Sequence, residues 1–247
     1  MVKKPISISA FFPCYNDGGT IASIVVLMNR TLASLPLKDY EILVVDDGST
    51  DHARAILEEL KRKYSKLRII YHDKNKGYGG ALRSGFAAAK EEWIFYTDGD
   101  FQYDVTEIKD LLAAMSDEVD IINGYKKSRS DPLHRKIIGK LYHWTTKTLF
   151  GVKIRDVDCD FRLIRKKVLD AITLEENSGA ICVEMIKKIQ DAGFKFAEVP
   201  VSHFFRVYGQ SQFFDIKRVF RVGKSLLRLW WRLVIKKEAA SGKGATL

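Results

Sequence analysis

Apolar residues fall into short continuous runs, separated by polar turns and by segments whose apolar positions recur at helical spacing. The run Ile6 to Phe12 is ended by Pro13 and the turn Tyr15-Asn16-Asp17-Gly18-Gly19, which predicts a strand and a loop. Thr20 to Leu35 predicts a helix and Tyr40 to Val45 a second strand, completing a β-α-β unit. The pattern repeats with a helix over Ala53 to Tyr64, a strand over Leu67 to Tyr71, a helix over Gly80 to Ala89 and a strand over Trp93 to Thr97. A helix over Ile108 to Met115 and a strand over Asp120 to Asn123 continue it. Such alternation predicts an α/β fold whose parallel sheet is covered on both faces. Beyond that point the rhythm loosens: a helix is expected over Leu133 to Leu149, a short strand near Phe161 to Ile164, a helix over Ala180 to Ala192 and a strand over Phe196 to Val201. No linker divides two folding units, and Ser241 to Leu247 reads as a frayed tail.

With 247 residues, 46% hydrophobic and 29% charged, the chain can bury a core and is neither disordered nor low-complexity. Cys14, Cys159 and Cys182 show no C-x-x-C spacing, so neither a disulfide framework nor a zinc ribbon is expected, and a reducing, cytoplasmic setting fits. Met1 leads through two lysines into the first strand without a signal-peptide core, and no stretch approaches the roughly 20 apolar residues of a membrane span. The net charge of +10 points to anionic partners. It is local: every charged residue from Lys217 to Lys237 is a cation, and Lys126, Lys127, Arg129, Arg135, Lys136 and Lys140 form a second cluster.

In open α/β sheets ligands bind beyond the carboxyl ends of the strands. Two apolar runs end there in carboxylates. Ile42 to Val45 is followed by Asp46-Asp47-Gly48-Ser49-Thr50-Asp51. Ser49 or Asp51 can cap the next helix, but capping does not account for Asp46 and Asp47, whose like charges need a donor or cation between them. Trp93 to Thr97 is followed by Asp98-Gly99-Asp100-Phe101-Gln102. Two carboxylates one residue apart can converge on a hard cation that also takes phosphate oxygens, an arrangement suited to a nucleoside diphosphate.

Pro13-Cys14-Tyr15-Asn16-Asp17, DDGSTD, Asn75-Lys76-Gly77 with Ala81, and the D-x-D with Gln102 together resemble the inverting family-2 glycosyltransferases of GT-A fold. The resemblance extends through Asp156-Val157-Asp158-Cys159-Asp160-Phe161-Arg162 to Arg206-Val207-Tyr208-Gly209-Gln210-Ser211, and is strongest toward the dolichyl-phosphate mannosyltransferase and bacterial polyprenyl-phosphate glycosyltransferase branch. It implies a mostly parallel central sheet flanked by helices and a catalytic domain over 1–213; the residues beyond it read as a basic amphipathic helix over 214–237 and a tail over 238–247. The resemblance places Pro13, Tyr15 and Asp17 around the base and ribose of a sugar nucleotide, with Asp47 on the base and Lys76 and Gly99 in the same donor site. Asp98 would face the ribose and diphosphate. Asp100 and Gln102, with Asp98, would hold Mg²⁺ or Mn²⁺, and Arg206 and Ser211 would close over the diphosphate. Three positions depart from the family: Asp17 replaces the usual Glu, Asp160 the usual Gly, and Lys126 a frequent Arg.

A sugar hydroxyl acceptor needs a general base, whereas a lipid monophosphate is already ionised and needs cations. Relatives acting on hydroxyls carry a Glu-Asp pair at the start of a late helix. Here Cys182-Val183-Glu184-Met185-Ile186 holds Glu184 alone, which favours a phosphate acceptor positioned by Lys126, Arg129 and Arg135, with Asp158 and Glu184 as remaining base candidates. A solvated helix end accounts equally well for any one of those cations. At the C-terminus, Lys217, Arg221, Lys224, Arg228 and Arg232 fall on one helical stripe and Val219, Val222, Leu226, Trp230 and Leu233 on the opposite side. With Trp230-Trp231 this describes a helix lying in a membrane interface. A helix packed on the protein core, or an oligomer contact, fits the same pattern.

The five histidines lack ligand spacing and read as surface or loop residues, Cys14 as packing, and Gly77, Gly79 and Gly80 as a tight turn into a helix. The expected activity is transfer of a hexose from a nucleoside diphosphate sugar to a polyprenyl phosphate, by a peripheral protein at the cytoplasmic membrane face. A glycan hydroxyl acceptor is the alternative chemistry, and a basic nucleic-acid-binding module the alternative class. The D-x-D argues against nucleic acid, because carboxylates at the site centre repel a phosphate backbone.

Overall fold

The structure, a computed structural model, describes residues 5–127, 133–206, 208 and 216–238, and within them gives no side-chain surroundings for 133–138, 140–142 and 216–221. Its elements run β1 (Ser7–Cys14), α1 (Ile21–Ala33), β2 (Asp39–Asp46), α2 (Ala53–Lys63), β3 (Leu67–Tyr71), α3 (Tyr78–Ala88) and β4 (Trp93–Thr97). A 3₁₀ turn (Val105–Glu107), α4 (Ile108–Ala113), β5 (Ile121–Lys126), α5 (Leu133–Phe150), β6 (Phe161–Arg165) and α6 (Lys166–Asp170) follow. The chain continues through α7 (Ile181–Asp191), β7 (Phe196–Val201), α8 (Ile216–Trp230) and a π-helical turn (Trp231–Ile235).

The strands form one sheet in the order β3-β2-β1-β4-β6-β5-β7, in which only β6 runs antiparallel to its neighbours. The parallel sheet expected from the alternation is present except at β6, which gives the mostly parallel sheet that the family resemblance implies. Every residue of β1 is buried, as a central strand covered on both faces must be. Its residues alternate between two cores: Ile8, Ala10 and Phe12 join α1 residues Ile21, Ile24 and Met28, while Phe11 joins Leu82 and Phe86 of α3 on the other face. β5 continues past the expected end at Asn123, because that side chain is fully buried and donates to the carbonyls of Gly124 and Asp156. The short 3₁₀ turn and α6 are too brief to leave a periodic signal.

The C-terminal stripe takes the core-packing alternative. Leu229 and Leu233 are buried, and Leu226, Trp230 and Val234 pack on the same core face as Ile181 and Ile186 of α7. Burial of each leucine contributes about 1.5–3 kcal/mol. The apolar face expected to enter a membrane is thus occupied by the protein itself, and Arg232 of the basic stripe pairs with Glu175 and Glu238. A different row stays open: Leu227, Trp231 and Ile235 are 63%, 52% and 46% exposed, beside exposed Lys224, Arg228, Lys236 and Lys237. Val219 lies among the residues whose side chains are outside the described set. No helix among the described residues is long and apolar enough to cross a membrane.

Candidate active site

The turns following β1 and β2 are stapled to each other. Asn16, in the left-handed region at φ 57°, accepts the backbone N–H of Thr50 (2.8 Å) and Asp51 (3.3 Å) on its side-chain oxygen. Its own N–H donates to Ser49 Oγ (3.0 Å), and Gly18 N–H to Asp51 Oδ2 (2.9 Å). Ser49 and Asp51, expected as helix caps, therefore also join two loops; Asp51 Oδ1 still accepts from Ala53 N–H. Pro13 and Asp17 are buried here, and Tyr15 is half-buried with its N–H on Asp17 Oδ2 (3.2 Å).

Asp46 and Asp47 avoid each other by facing different partners. Asp46, fully buried, takes Arg54 Nε at 2.6 Å and Ser49 N–H at 3.2 Å. Asp47 Oδ1 lies 2.6 Å from His72 Nδ1 and accepts Lys76 N–H at 2.8 Å, while Oδ2 accepts Gly77 N–H at 3.0 Å. Charge-assisted bonds of this kind are worth about 1.5–3 kcal/mol each, so Asp47 fixes the loop into α3 and keeps acceptor capacity on Oδ2. His72 is buried between Asp47 and Ser84, which corrects its expected surface placement. Gly77 adopts φ 84°, and a Cβ on Gly79 would lie 2.1 Å from the Glu176 carbonyl. The Lys76 side chain is exposed.

β4 delivers the D-x-D turn. Asp98, half-buried, accepts the Tyr78 hydroxyl at 2.7 Å. Burial pushes its carboxyl well above the usual range, the charges of Asp160 and Asp100 push the same way, and the Tyr78 bond opposes them. Gly99 has no room for a side chain, since a Cβ would stand 2.7 Å from the Pro13 carbonyl oxygen, and its own carbonyl accepts Thr20 Oγ1 at 2.8 Å. Phe101 is held at φ 61°, a conformation costing on the order of 1–3 kcal/mol that surrounding contacts must impose.

Asp100 is buried, yet Arg206 reaches its Oδ2 with Nη2 (2.7 Å) and Nε (3.2 Å). Gln102 arranges this: its N–H donates to Asp100 Oδ1 (3.1 Å), its side-chain amide donates to the Phe204 carbonyl (3.0 Å), and its own carbonyl accepts Phe204 N–H (2.8 Å). The late segment is thereby stitched to the D-x-D turn. Tyr208 covers the first loop, because a Cβ on Gly19 would come within 2.3 Å of its ring, and it stacks edge-on against His52. Burial raises the Asp17 carboxyl to about 6; Tyr15 N–H and Arg206 pull it down, and Asp100 and Asp51 raise it further.

On the far side of β4, Lys126 donates to the Asp158 carbonyl (2.7 Å) and stands 3.7 Å from the Asp156 carboxylate, which also accepts Asp158 N–H. Arg162 is fully buried and pairs with Asp160, so the acid replacing the family's glycine comes with its own counter-cation. Glu184 is also fully buried, taking Lys188 Nζ (2.8 Å) and the N–H groups of Glu175 and Glu176. It faces inward from α7 and holds the 175–177 loop. Arg129 and Ser211 lie outside the described residues, as does the side chain of Arg135. Sequence reasoning passed over Tyr78 and His72, neither of which has spacing that marks it, and only the folded loops bring them to Asp98 and Asp47; Asn16, quoted only as part of the Pro13–Asp17 motif, joins the two turns through the backbone of Thr50 and Asp51.

Asp98 and Asp100, with Asp17 nearby, present hard oxygens in excess of the one guanidinium that meets them among the described residues, and so fit a divalent cation completed by phosphate oxygens. They do not form an all-protein cage: no group of three His, Cys, Asp or Glu among the described residues could hold a metal by itself.

Comparison with known proteins agrees with this architecture. The chain is 27% identical over 239 residues to glycosyltransferase AglD of Haloferax volcanii, covering 94% of this chain and 38% of that protein. It is 27% identical over 227 residues to the dodecaprenyl-phosphate galacturonate synthase of Rhizobium johnstonii (91% and 66%). It is 29% identical over 210 residues to the undecaprenyl-phosphate 4-deoxy-4-formamido-L-arabinose transferase of an Enterobacter species (83% and 62%). The chain thus spans between 38% and 66% of these relatives' length. Among solved structures, glucosyl-3-phosphoglycerate synthase from Mycobacterium tuberculosis with Mn²⁺, uridine diphosphate and glucosyl-3-phosphoglycerate superposes with a TM-score of 0.69 at 14% identity, covering 92% of this chain and 79% of that one. The likeness fixes the fold as GT-A. Residues 9–173 match the family described as Glycosyl transferase family 2, and with that match across the donor loops, the D-x-D and the Asp156–Arg162 segment, the chain belongs to glycosyl transferase family 2.

Proposed function

We propose that the protein transfers a hexose from a nucleoside diphosphate sugar to a polyprenyl phosphate, with inversion at the anomeric carbon. The observation that carries this reading is the junction of Asp100 and Arg206 at the end of β4, where a buried carboxylate for a cation meets a half-buried guanidinium for a phosphate. The turns after β1, β2 and β3 converge beside it and supply Pro13, Tyr15, Asp17, Asp47 and Lys76 for the nucleotide, with Asp98 and Gly99 beneath the diphosphate. Asp100 and Asp98 would hold Mg²⁺ or Mn²⁺ with Gln102 bracing the turn. A cation bound there neutralises charge on the departing diphosphate. Arg206 adds a fixed positive charge to the same oxygens, and Ser211 would join it.

In-line attack requires the acceptor on the opposite side of the sugar, toward Lys126, Asp158 and, in this reading, Arg129 and Arg135. A phosphate acceptor is favoured by the burial of Glu184, which turns one candidate base away from solvent, and by the acceptors named for two of the relatives. The open row Leu227, Trp231 and Ile235, flanked by Lys224 and Arg228, suits peripheral contact with an anionic bilayer carrying that acceptor.

The deciding experiment offers GDP-, UDP- and dTDP-hexoses with Mn²⁺ to the protein and compares undecaprenyl phosphate with soluble sugar hydroxyl acceptors. Transfer to the lipid phosphate alone is expected. Transfer to hydroxyls alone, or undiminished turnover in excess chelator, overturns the proposal.

A further inference from the structure

Resting on that reading, and deepening it to the class of sugar transferred, we infer that Asp160 forms the wall of the donor-sugar subsite beside Asp98 and selects neutral or cationic sugars over uronates. The register of the sheet carries the argument. β4 and β6 pair antiparallel with Tyr96 opposite Arg162 and Thr97 opposite Phe161. Extending that register by one step puts Asp98 next to Asp160, in keeping with the charge of Asp160 bearing on the Asp98 carboxyl, and Asp160 bonds to both Tyr96 and Arg162 on the face they share.

Across the sheet the order is β4, β6, β5. The start of β6 therefore lies between the D-x-D turn, where the diphosphate is placed, and Lys126 at the end of β5, where the acceptor phosphate is placed. The sugar being transferred must lie between those two groups. Asp160 is the side chain that this order puts there.

Two carboxylates directly opposite each other repel unless donors intervene. Asp160 Oδ1 is supplied from inside by Arg162 Nη1 (2.8 Å), the Tyr96 hydroxyl (3.2 Å) and Cys182 Sγ (3.2 Å). Oδ2 receives no hydrogen bond among the described residues, and the side chain keeps 14% of its surface open. Arg162 cannot turn outward to meet a ligand, since it is fully buried with Nε on Asn123 Oδ1 (2.5 Å) and Nη2 on the Val157 carbonyl. What the subsite meets is a carboxylate oxygen held in place from behind. A sugar hydroxyl or ammonium can donate to it; a uronate carboxylate meets it charge to charge.

The test uses two donors sharing one nucleotide, UDP-glucose and UDP-glucuronate, or the GDP-mannose and GDP-mannuronate pair if guanine is the base bound. With undecaprenyl phosphate and Mn²⁺, wild type should favour the neutral donor at least 100-fold in kcat/KM. Asp160→Asn should cut that ratio at least tenfold, losing activity on the neutral donor and gaining it on the uronate. Asp160→Gly, carrying the family's residue, gives the same readout if the asparagine variant does not fold. If Asp160 serves only to neutralise Arg162, both donors fall together and the ratio stays put, which overturns the inference. Wild type using both donors equally overturns it without any variant. Should wild type transfer neither sugar to the lipid phosphate, the acceptor reading fails instead, and the same ratio is read from calorimetric binding of the two donors.

Discussion

Replacing Glu184 separates a structural acid from a catalytic one. Its two oxygens face donors only: Lys188 Nζ and Glu175 N–H on Oε1, Glu175 and Glu176 N–H on Oε2. A glutamine there must turn its NH₂ toward one of those donors whichever way the amide is flipped, so Glu184→Gln is no isostere. Breaking a buried ion pair by removing one partner costs about 3–5 kcal/mol. Lys188 keeps the Thr173 carbonyl at 2.6 Å and Glu175 at 3.5 Å, which puts the expected loss near the lower end, about 3 kcal/mol. For a chain of this size that corresponds to roughly 6–12 °C in Tm. Thermal and urea unfolding followed by circular dichroism give the number, the urea slope checking that the change is in stability. Turnover per folded molecule, measured well below the transition, should fall modestly, because the loosened 175–177 loop contacts the α3 N-terminus through Gly79 N–H on the Asn177 carbonyl. A general base contributes about 10²–10⁴-fold. Loss of that size with Tm unchanged within about 2 °C would refute the structural assignment and return Glu184 to the chemistry.

Asp100→Asn should nearly abolish transfer while leaving the fold intact, and wild-type turnover in that variant would sink the donor-site assignment. Asp47→Ala should weaken nucleotide binding with or without the sugar, since it frees the N–H group of Lys76 and leaves that of Gly77 with the Asn75 side chain alone; unchanged calorimetric affinity counts against it. Asp17, raised to about 6, favours the fold in its protonated form, so its contribution is full below about pH 4 and is lost as pH rises through 6. Arg206→Gln removes a charge that pulls this carboxyl down, and carbon-detected NMR should show the Asp17 midpoint moving up; a midpoint near 4 in wild type contradicts the burial argument. Trp231→Ala should reduce flotation with anionic vesicles at unchanged Tm, whereas Leu229→Ala should cost about 2–5 kcal/mol of stability; the reverse pattern would mean that the helix presents the other face.

Much of the fold could be read from hydrophobic periodicity because each strand is a short apolar run and each long helix has a clear stripe. β1 to β4 lie within a residue or two of their expected bounds, and the order of motifs placed the donor loops at strand ends. What failed was the partner of a face. Leu226, Trp230 and Leu233 mark an amphipathic helix equally well whether the apolar side meets lipid or the protein's own core, and only tertiary packing shows that Leu229 and Leu233 enter the cluster around α7. Of the adjacent exposed row, only Trp231 stands out in the sequence, as the neighbour of Trp230; Leu227 and Ile235 interrupt the basic side and carry no signal of their own.

The carboxylates expose the same limit more sharply. Asp46, Asp47, Asp98, Asp100, Asp160 and Glu184 are equivalent as letters, and their use depends on where their counter-charges come from. Arg54 follows Asp46 by eight residues and Lys188 follows Glu184 by four, so these acids are neutralised by neighbours and turned inward. Asp100 is met by Arg206, more than a hundred residues away, at the seam where the late segment is stitched to the D-x-D turn. Among the described residues Asp47 pairs with no Lys or Arg, only with His72, and is satisfied by backbone N–H groups of a glycine turn. An acid whose partner is local serves the scaffold; one whose partner arrives on a separate loop marks a place where the chain converges, and convergence on buried negative charge is what a cation and a diphosphate require. Asp160 combines both cases: Arg162, two residues on, neutralises it from within the sheet, and its second oxygen receives no hydrogen bond among the described residues.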